Sequence, residues 1–500
     1  MKKIASILVL VCSVVYFSSC RKDKLITSSG AKVSFTTDSI MFDTVFTQIG
    51  STTKLFRVHN NNSGSINISS IKLARGSASF FRLNVDGVSG KSFTDIEIAA
   101  HDSIYIFVEV TIDPNNLLNP FIYRDSILFE TNGNAQNVKL VAFGQNAYYH
   151  MATNKIILSS TQALFYGLDT NVVGPATVTW KNDKPHVIYG YLVVDSLHNL
   201  IIPAGTKVYV HNNGGIWVYR YGSIKINGVL NSPVTFQGDR LEAQYKDVPG
   251  QWDRIWINEG SFSNVINYAV IKNAFIGVHA GYSVLDGYGG NSINTSSSLG
   301  RNLNLSNTII QNCSFAGILA HYYRITGGND VISNCGKYLG VFQYGGSYSF
   351  KQCTFANYWT QTNNGTSSQT RTTPSFFFNN YVDASLPLAI DSLWFGNCIM
   401  GGNLAEEFQF DTTATPAMFN HVRFDHCMMQ TQLNTNNTNH FQNVINWAPV
   451  FNNPATYDFH IPVNSNSSAQ GTGNGIYITQ WPTDIEGNSR QSDLGAYKIQ

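Results

Sequence analysis

The chain has 500 residues, enough for two domains or one long solenoid. Only 13% are charged, and 32 Lys and Arg offset 31 Asp and Glu, so the basic excess that nucleic-acid binding requires is missing. Beyond the N-terminus no stretch is apolar and long enough for a transmembrane helix; Asn, Ser, Thr and Gly abound and helix-forming runs are scarce, which is the composition of a nearly all-β protein.

Residues 1–20, MKKIASILVLVCSVVYFSSC, join a basic start at Lys2 and Lys3 to a short apolar run from Ile4 to Phe17. That layout is an export signal rather than a membrane span. Ser18, Ser19 and Cys20 close it and resemble the lipobox of bacterial lipoproteins, with Phe17 where Leu is usual. The resemblance implies that Cys20 becomes the lipidated first residue of the mature chain. It also implies that the partner there is a membrane and the location the cell envelope, at an outer membrane or cell surface. The alternative is an ordinary secretory signal that happens to contain a Cys. Residues 21–32 read as a linker.

Residues 33–147 read as a separate antiparallel sandwich. In DSIYIFVEVTID, Asp102 to Asp113, the side chains Ile104, Ile106, Val108, Val110 and Ile112 share one strand face. Further strands are expected at Leu55–Val58, Ile66–Leu73, Phe80–Val85, Ile127–Glu130 and Val138–Phe143. Turn signals at Asn60 to Asn62, Gly87 and Asn132-Gly133 lie between them. About seven strands fit an Ig-like fold. Phe42 to Val45, Phe56 to Asn60, the long central strand and Leu140 to Gly144 resemble the Ig-like domains of cilia- and centrosome-associated proteins and of bacterial surface proteins. The resemblance implies a fold, and a spacer role is the plain reading.

Residues 148–179 read as a connector, and 180–460 as a right-handed parallel β-helix. Apolar triplets recur at Leu200–Ile202, Val208–Val210, Ile216–Val218, Ile224–Ile226, Val234–Phe236 and Ile255–Ile257, separated by Gly, Asn, Pro or Ser. Each is too short for a helix, and three per repeat of roughly 20–25 residues make solenoid coils. Trp180 to Gly190 is expected to cap the first coil.

Asn273-Ala274, Asn312-Cys313, Asn334-Cys335, Gln352-Cys353, Asn397-Cys398 and His426-Cys427 read as one recurring corner with an amide ladder. The cysteines fall 22, 18, 45 and 29 residues apart (335 − 313, 353 − 335, 398 − 353, 427 − 398). The first two gaps fit single coils; 45 fits two coils, or one with a large insertion. No Cys-x-x-Cys pair suggests zinc, and free buried thiols are preferred to disulfides.

Insertions at Gln237–Trp252, Gly281–Arg301 and Tyr358–Pro374 are placed to wall a binding face. The first, with residues just beyond it, holds Asp239, Arg240, Glu242, Asp247, Asp253 and Arg254. Such a polar loop could hold Ca²⁺ or act as acid and base, although no specific calcium motif is present; a solvated charge patch is the bland reading. No metal or other cofactor is otherwise expected. Aligning Gly277-Val278, Gly317-Ile318 and Gly340-Val341 places His279, Leu319 and Phe342 outward, then Gly281, His321 and Tyr344, with Tyr322 and Arg324 nearby. Flat aromatic faces and imidazoles on a rigid sheet suit sugar stacking; the alternative is packing beneath the insertions.

From Trp180 onward the chain resembles bacterial right-handed β-helix proteins, among them pectate lyases, polygalacturonases and uncharacterised surface lipoproteins. Gln237 to Arg240, Gly250 to Trp252 and Ile266 to Ala274 look most like the lipoproteins. Residues 461–500 form a closing segment similar to that of many such surface proteins, through Thr483 to Asn488, Arg490 and Ser492 to Tyr497. The Asp-Asp and Gly-His-Gly of polygalacturonases are absent. Phe424 to Cys427 resembles a pectate-lyase stretch but lacks its companion Arg-x-Pro-x-x-Arg-x-Gly, so Asp425-His426 is assigned to the corner. The leading expectation is a non-catalytic envelope lipoprotein whose β-helix binds a polysaccharide or a surface protein. The alternatives are a polysaccharide lyase or glycoside hydrolase with an atypical active site, and a purely structural envelope protein.

Overall fold

The computed structural model describes residues 24–113, 121–157, 163–169, 173–281, 302–363, 367–381, 389–411, 421–462 and 468–499. The chain divides into two units, Met1–Ala147 and Tyr148–Gln500.

The first unit is a sandwich of two five-stranded sheets. Ser103–Val110 lies between Lys54–His59 and Phe81–Val85, antiparallel to both, and the Ile104 to Ile112 face is buried in the core as its alternation requires. Asn132 and Gly133 both adopt positive φ at the hairpin joining Phe121–Thr131 to Asn134–Gln145. Ser39–Phe46 is the exception to antiparallel pairing: it runs parallel to Asn134–Gln145. Weakly alternating strands such as Ser92–Ile98, which buries only Phe93 and Ile98, raise the strand number above seven. Of the expected linker, 24–32 is packed: the Ile26 N–H donates to Ser65 O, and Ala31 joins the core.

The second unit is a parallel β-helix. The chain visits three sheets in turn, here called sheets I, II and III, and returns one strand further along each. Each of the six apolar triplets falls within one of these strands. Leu200 pairs with Ile224 and Ile318 with Gly340, one coil apart. The solenoid begins earlier than expected. Tyr148–Met151, Ala163–Leu168 and Ala176–Thr179 pair in parallel with the next strands of sheets I, II and III, so 148–179 is the first coil and not a connector.

The inward column of sheet III reads Ile202, Ile226, Ile266, Leu305, Gly327, Phe350, Phe395, Phe424 and Phe441. Its later rings stack at 5.5, 5.3 and 5.4 Å between centroids. Gly327 marks the change from aliphatic to aromatic filling, because a Cβ there would collide with the Phe350 ring.

The expected single corner is two corners. Asn273, Asn312 and Asn334 end strands of sheet I, whereas Gln352, Asn397 and His426 end strands of sheet III. All six have φ between 47° and 62°, the left-handed region that Asn tolerates best among non-glycine residues. The 18-residue cysteine gap therefore crosses from one corner to the other, and the 45-residue gap is one coil with an insertion. Amide ladders do form: Asn312 Nδ2 donates to Asn273 Oδ1 at 2.8 Å, and Asn329 Nδ2 to Asn307 Oδ1 at 2.8 Å. Cys313, Cys335, Cys353, Cys398 and Cys427 are buried free thiols; Cys20 lies outside the described residues.

Within the Tyr358–Pro374 insertion, Thr360–Asn363 pairs with Ser367–Thr370 as a hairpin. Arg371 follows it, and its side chain and that of Glu407 are fully buried. Arg371 Nη2 donates to Glu407 Oε1 at 2.7 Å, Asn403 Oδ1 at 2.9 Å and Asn357 O at 3.1 Å. The other Glu407 oxygen accepts from the Ser375 N–H and hydroxyl at 2.9 and 2.7 Å. Removing one member strands a buried charge, so Glu407→Ala should lower stability by roughly 3–5 kcal/mol in denaturant titration.

At the first coil Trp180 stacks on His186 at 3.9 Å and on His150 at 4.7 Å, and the two imidazoles hydrogen-bond at 2.9 Å. Burial pushes His150 down to about 3 and His186 down to about 4. Both are neutral when folded and take up protons on unfolding, so the stability present above about pH 6.5 falls as pH drops toward 4. The expected slope is roughly 1–3 kcal/mol per pH unit. Acid melting curves should show it, and a His150→Gln/His186→Gln variant should flatten it.

Candidate ligand-binding face

Outward positions of sheet II build two files. Trp217, Trp256, His279, Leu319, Val341 and Phe377 occupy one register position on successive strands. Asn258, Gly281, His321 and Gln343 occupy the position two residues on. Trp217 stacks on Trp256 at 4.8 Å and Trp256 on His279 at 5.8 Å, with nearly parallel ring planes in each case. Trp217 Nε1 donates to Asn258 Oδ1 at 2.7 Å.

The structure corrects Phe342. Ile318 pairs with Gly340, not Val341, so Phe342 follows Ala320 into the core and stacks on Phe378 at 5.5 Å. Gly340 allows this, because a Cβ there would meet Phe342 Cε2 at 2.5 Å. A one-residue change of register exchanges the two faces of a strand. Gln343 thus takes the outward place beside His321, and Tyr344 turns the corner with φ 64°. Its ring lies 4.9 Å from that of His321. Tyr322 occupies the preceding coil's corner with φ 48°, and Arg324 starts Arg324–Gly328 of sheet III, exposed and off the sheet II face.

The charged loop divides into four parts. Arg240 chelates Glu242 at 2.9–3.1 Å and lies over the Tyr245 ring at 4.0 Å, a surface pair. Asp239 accepts from His211 Nδ1 at 2.7 Å, which raises the imidazole pKa. Asp247 offers its carbonyl to the Asn312 amide at 2.9 Å, so the loop is tied to the corner ladder. Asp253 and Arg254 turn instead toward sheet II. The Tyr191 hydroxyl donates to Asp253, and burial and that carboxylate raise the phenol pKa well above its ordinary value. Arg254 binds Asp253 at 2.9 Å and reaches His279 Nδ1 at 3.2 Å. His279 meets His321 at 3.4 Å, and His321 meets Gln343 at 3.1 Å.

Two candidate groups that are separate in sequence thus become one polar run from Tyr191 to Gln343. Each carboxylate of the loop set that makes an ion pair faces its own cation or imidazole. Among the described residues no group of three His, Cys, Asp or Glu gathers to hold a metal. His279 is 3% exposed and Trp256 2%, whereas His321, Tyr322, Gln343 and Tyr344 are half-buried; the accessible part of the run is its His321 end. Of the Gly281–Arg301 insertion only Gly281 lies within the described residues. Trp217 and Trp256 escaped the sequence reading, yet each is the middle residue of a sheet II triplet and so must point outward.

No protein-family model matches the sequence, and no curated protein does. Among solved structures, a PapD-like domain of human CEP192 is similar at 11% identity over 25% of this chain and 92% of that one, TM-score 0.17. The catalytic unit of an α-1,3-glucanase of glycoside hydrolase family 87 from Streptomyces thermodiastaticus is similar at 7% identity over 75% and 78%, TM-score 0.22. A family 123 glycoside hydrolase from Clostridium perfringens is similar at 10% identity over 24% and 30%, TM-score 0.17. Likenesses of this size carry no weight beside the strand register.

Proposed function

We propose that the protein is a lipid-anchored envelope protein whose β-helix binds a glycan on the outer face of sheet II without transforming it. The observation that supports this reading is the run Tyr191, Asp253, Arg254, His279, His321 and Gln343, whose members hold one another in fixed orientations on a rigid sheet. Groups already oriented by neighbours lose little freedom when they engage sugar hydroxyls. The half-buried Tyr344 beside His321 supplies a flat face for a sugar ring. Binding rather than catalysis fits Asp253, which is held between Tyr191 and Arg254 rather than set opposite a second carboxylate.

On a glycan array the purified protein should retain particular polysaccharides and release no new reducing or unsaturated ends. Against the best ligand, His321→Ala with Tyr344→Ala should cost more than about 1 kcal/mol, because aromatic anchors dominate such contacts. Turnover would overturn the non-catalytic reading, and unchanged affinity would move the site. The anchor has its own test: Cys20→Ala should shift the protein from the membrane fraction to the soluble one.

A further inference from the structure

A cavity of about 570 Å³ lies against the outer face of sheet III and is independent of the face described above. Its floor comes from two outward rows. Thr326, Ser349, Trp394 and Arg423 share one register position, and Gly328, Lys351, Gly396 and Asp425 share the other. Its opposite wall is the short helix Gly475–Gln480 with Trp481, from the closing segment. The two glycines of the floor make this fit: a Cβ on Gly328 would strike the Trp481 ring, and one on Gly396 would meet Tyr477 Cε2 at 2.5 Å.

Three aromatic residues thus enclose a space that also contains two cations. Lys351 Nζ lies 4.3 Å from the Trp394 ring and 5.0 Å from the Tyr477 ring, and the Arg423 guanidinium lies 5.5 Å from Trp394. Neither cation makes an ion pair among the described residues; Lys351 Nζ donates to Trp394 O at 3.4 Å, and the buried Arg423 Nε has no hydrogen-bond partner. The one carboxylate, Asp425, is engaged by its own donors: His426 Nδ1 at 2.5 Å, the Tyr477 hydroxyl at 2.7 Å and Asn474 Nδ2 at 3.5 Å. Burial brings the Lys351 ammonium down to about 8, against the pull of the Asp425 carboxylate. The cavity therefore holds positive charge and donors in excess of its acceptors, between ring faces.

We propose that this cavity binds an acidic sugar residue, a uronate unit, with its carboxylate at Arg423 and Lys351 and its ring against Trp394 and Trp481. A planar carboxylate matches a guanidinium edge, and the volume lies within the roughly 300–1,000 Å³ of small-molecule sites. Buried unpaired donors are uncommon unless a ligand or water completes them.

The test is titration of the full chain at pH 7 with glucuronate, galacturonate, glucose and a 6-sulfated glucosamine, followed by tryptophan fluorescence and calorimetry. A uronate should bind and change the fluorescence, whereas glucose should bind at least tenfold more weakly. Arg423→Gln and, separately, Lys351→Met should each weaken uronate binding at least tenfold with an unshifted melting temperature. Trp394→Phe should remove most of the fluorescence change while keeping binding, which locates the ligand even if a charge variant folds poorly. The sheet II variant His321→Ala/Tyr344→Ala should leave uronate affinity unchanged. Equal affinity for glucose and uronate, preference for the sulfated sugar, no binding of either uronate, or binding untouched by Arg423→Gln in a folded protein would each overturn the proposal.

Discussion

Parallel hydrogen bonding between successive coils is the constraint on which the second unit depends. It holds like positions about 4.8 Å apart, so every inward column must be filled continuously along the solenoid. In sheet III the filling changes from Ile and Leu to four stacked phenylalanines, and Gly327 absorbs the change. Sheet II makes the same change from Ala280 and Ala320 to Phe342, Phe378 and Phe410, with Gly340 beside the first ring. A coil cannot widen on one side alone. Large and small residues therefore trade places between neighbouring columns, and glycine appears where the trade occurs.

This explains what could be read from the sequence and what could not. The triplets between Leu200 and Ile257 were legible because aliphatic residues repeat there with short polar separators. The alternation of Ser103–Val110 was legible for the same reason in the sandwich. Register failed at Gly340 because the reading assumed that a glycine keeps the same place in each coil. Here it stands inward, opposite Ile318, and shifts Phe342 into the core. The two corners merged into one because both demand the left-handed conformation and both use Asn, so local preference alone could not separate them. Residues 148–179 do not show the inward aliphatic triplets of later coils, since Met151, Ile157, Phe165 and Leu168 are exposed, although their backbones pair as regularly as later coils.

The outer faces of the three sheets are treated differently. On sheet I the outward column Ile309, Val331, Thr354, Ile399 and Met428 is covered by Phe451 and Phe459 and by Ile485, Leu494 and Ala496 of the closing segment. Arg490 ties that segment down, donating to Gly495 O at 2.6 Å, Ala496 O at 3.0 Å and the Asn329 side chain. The pattern around Arg490, visible in the sequence as a closing motif, is thus explained by packing and backbone satisfaction. On sheet III the same segment stands off enough to leave a cavity. On sheet II the outward Trp and His residues stack on one another along the sheet.

Sites on such a scaffold are assembled across coils, which is why short motifs describe them poorly. Tyr191 meets Asp253 across 62 residues of sequence, His279 meets His321 across 42, and Tyr477 meets Asp425 across 52. Asp425-His426 illustrates the difference. Read as a dipeptide it suggested either catalysis or a corner. In the fold His426 does turn the corner, with φ 51°, while its ring and the Tyr477 hydroxyl both hold the Asp425 carboxylate. The chemistry open to Asp425 is set by an aromatic residue contributed by the last segment of the chain to fold back. A carboxylate so engaged acts as a fixed acceptor within the wall of its cavity, and leaves the unpaired Arg423 donor, beside the Lys351 ammonium, to define what can enter.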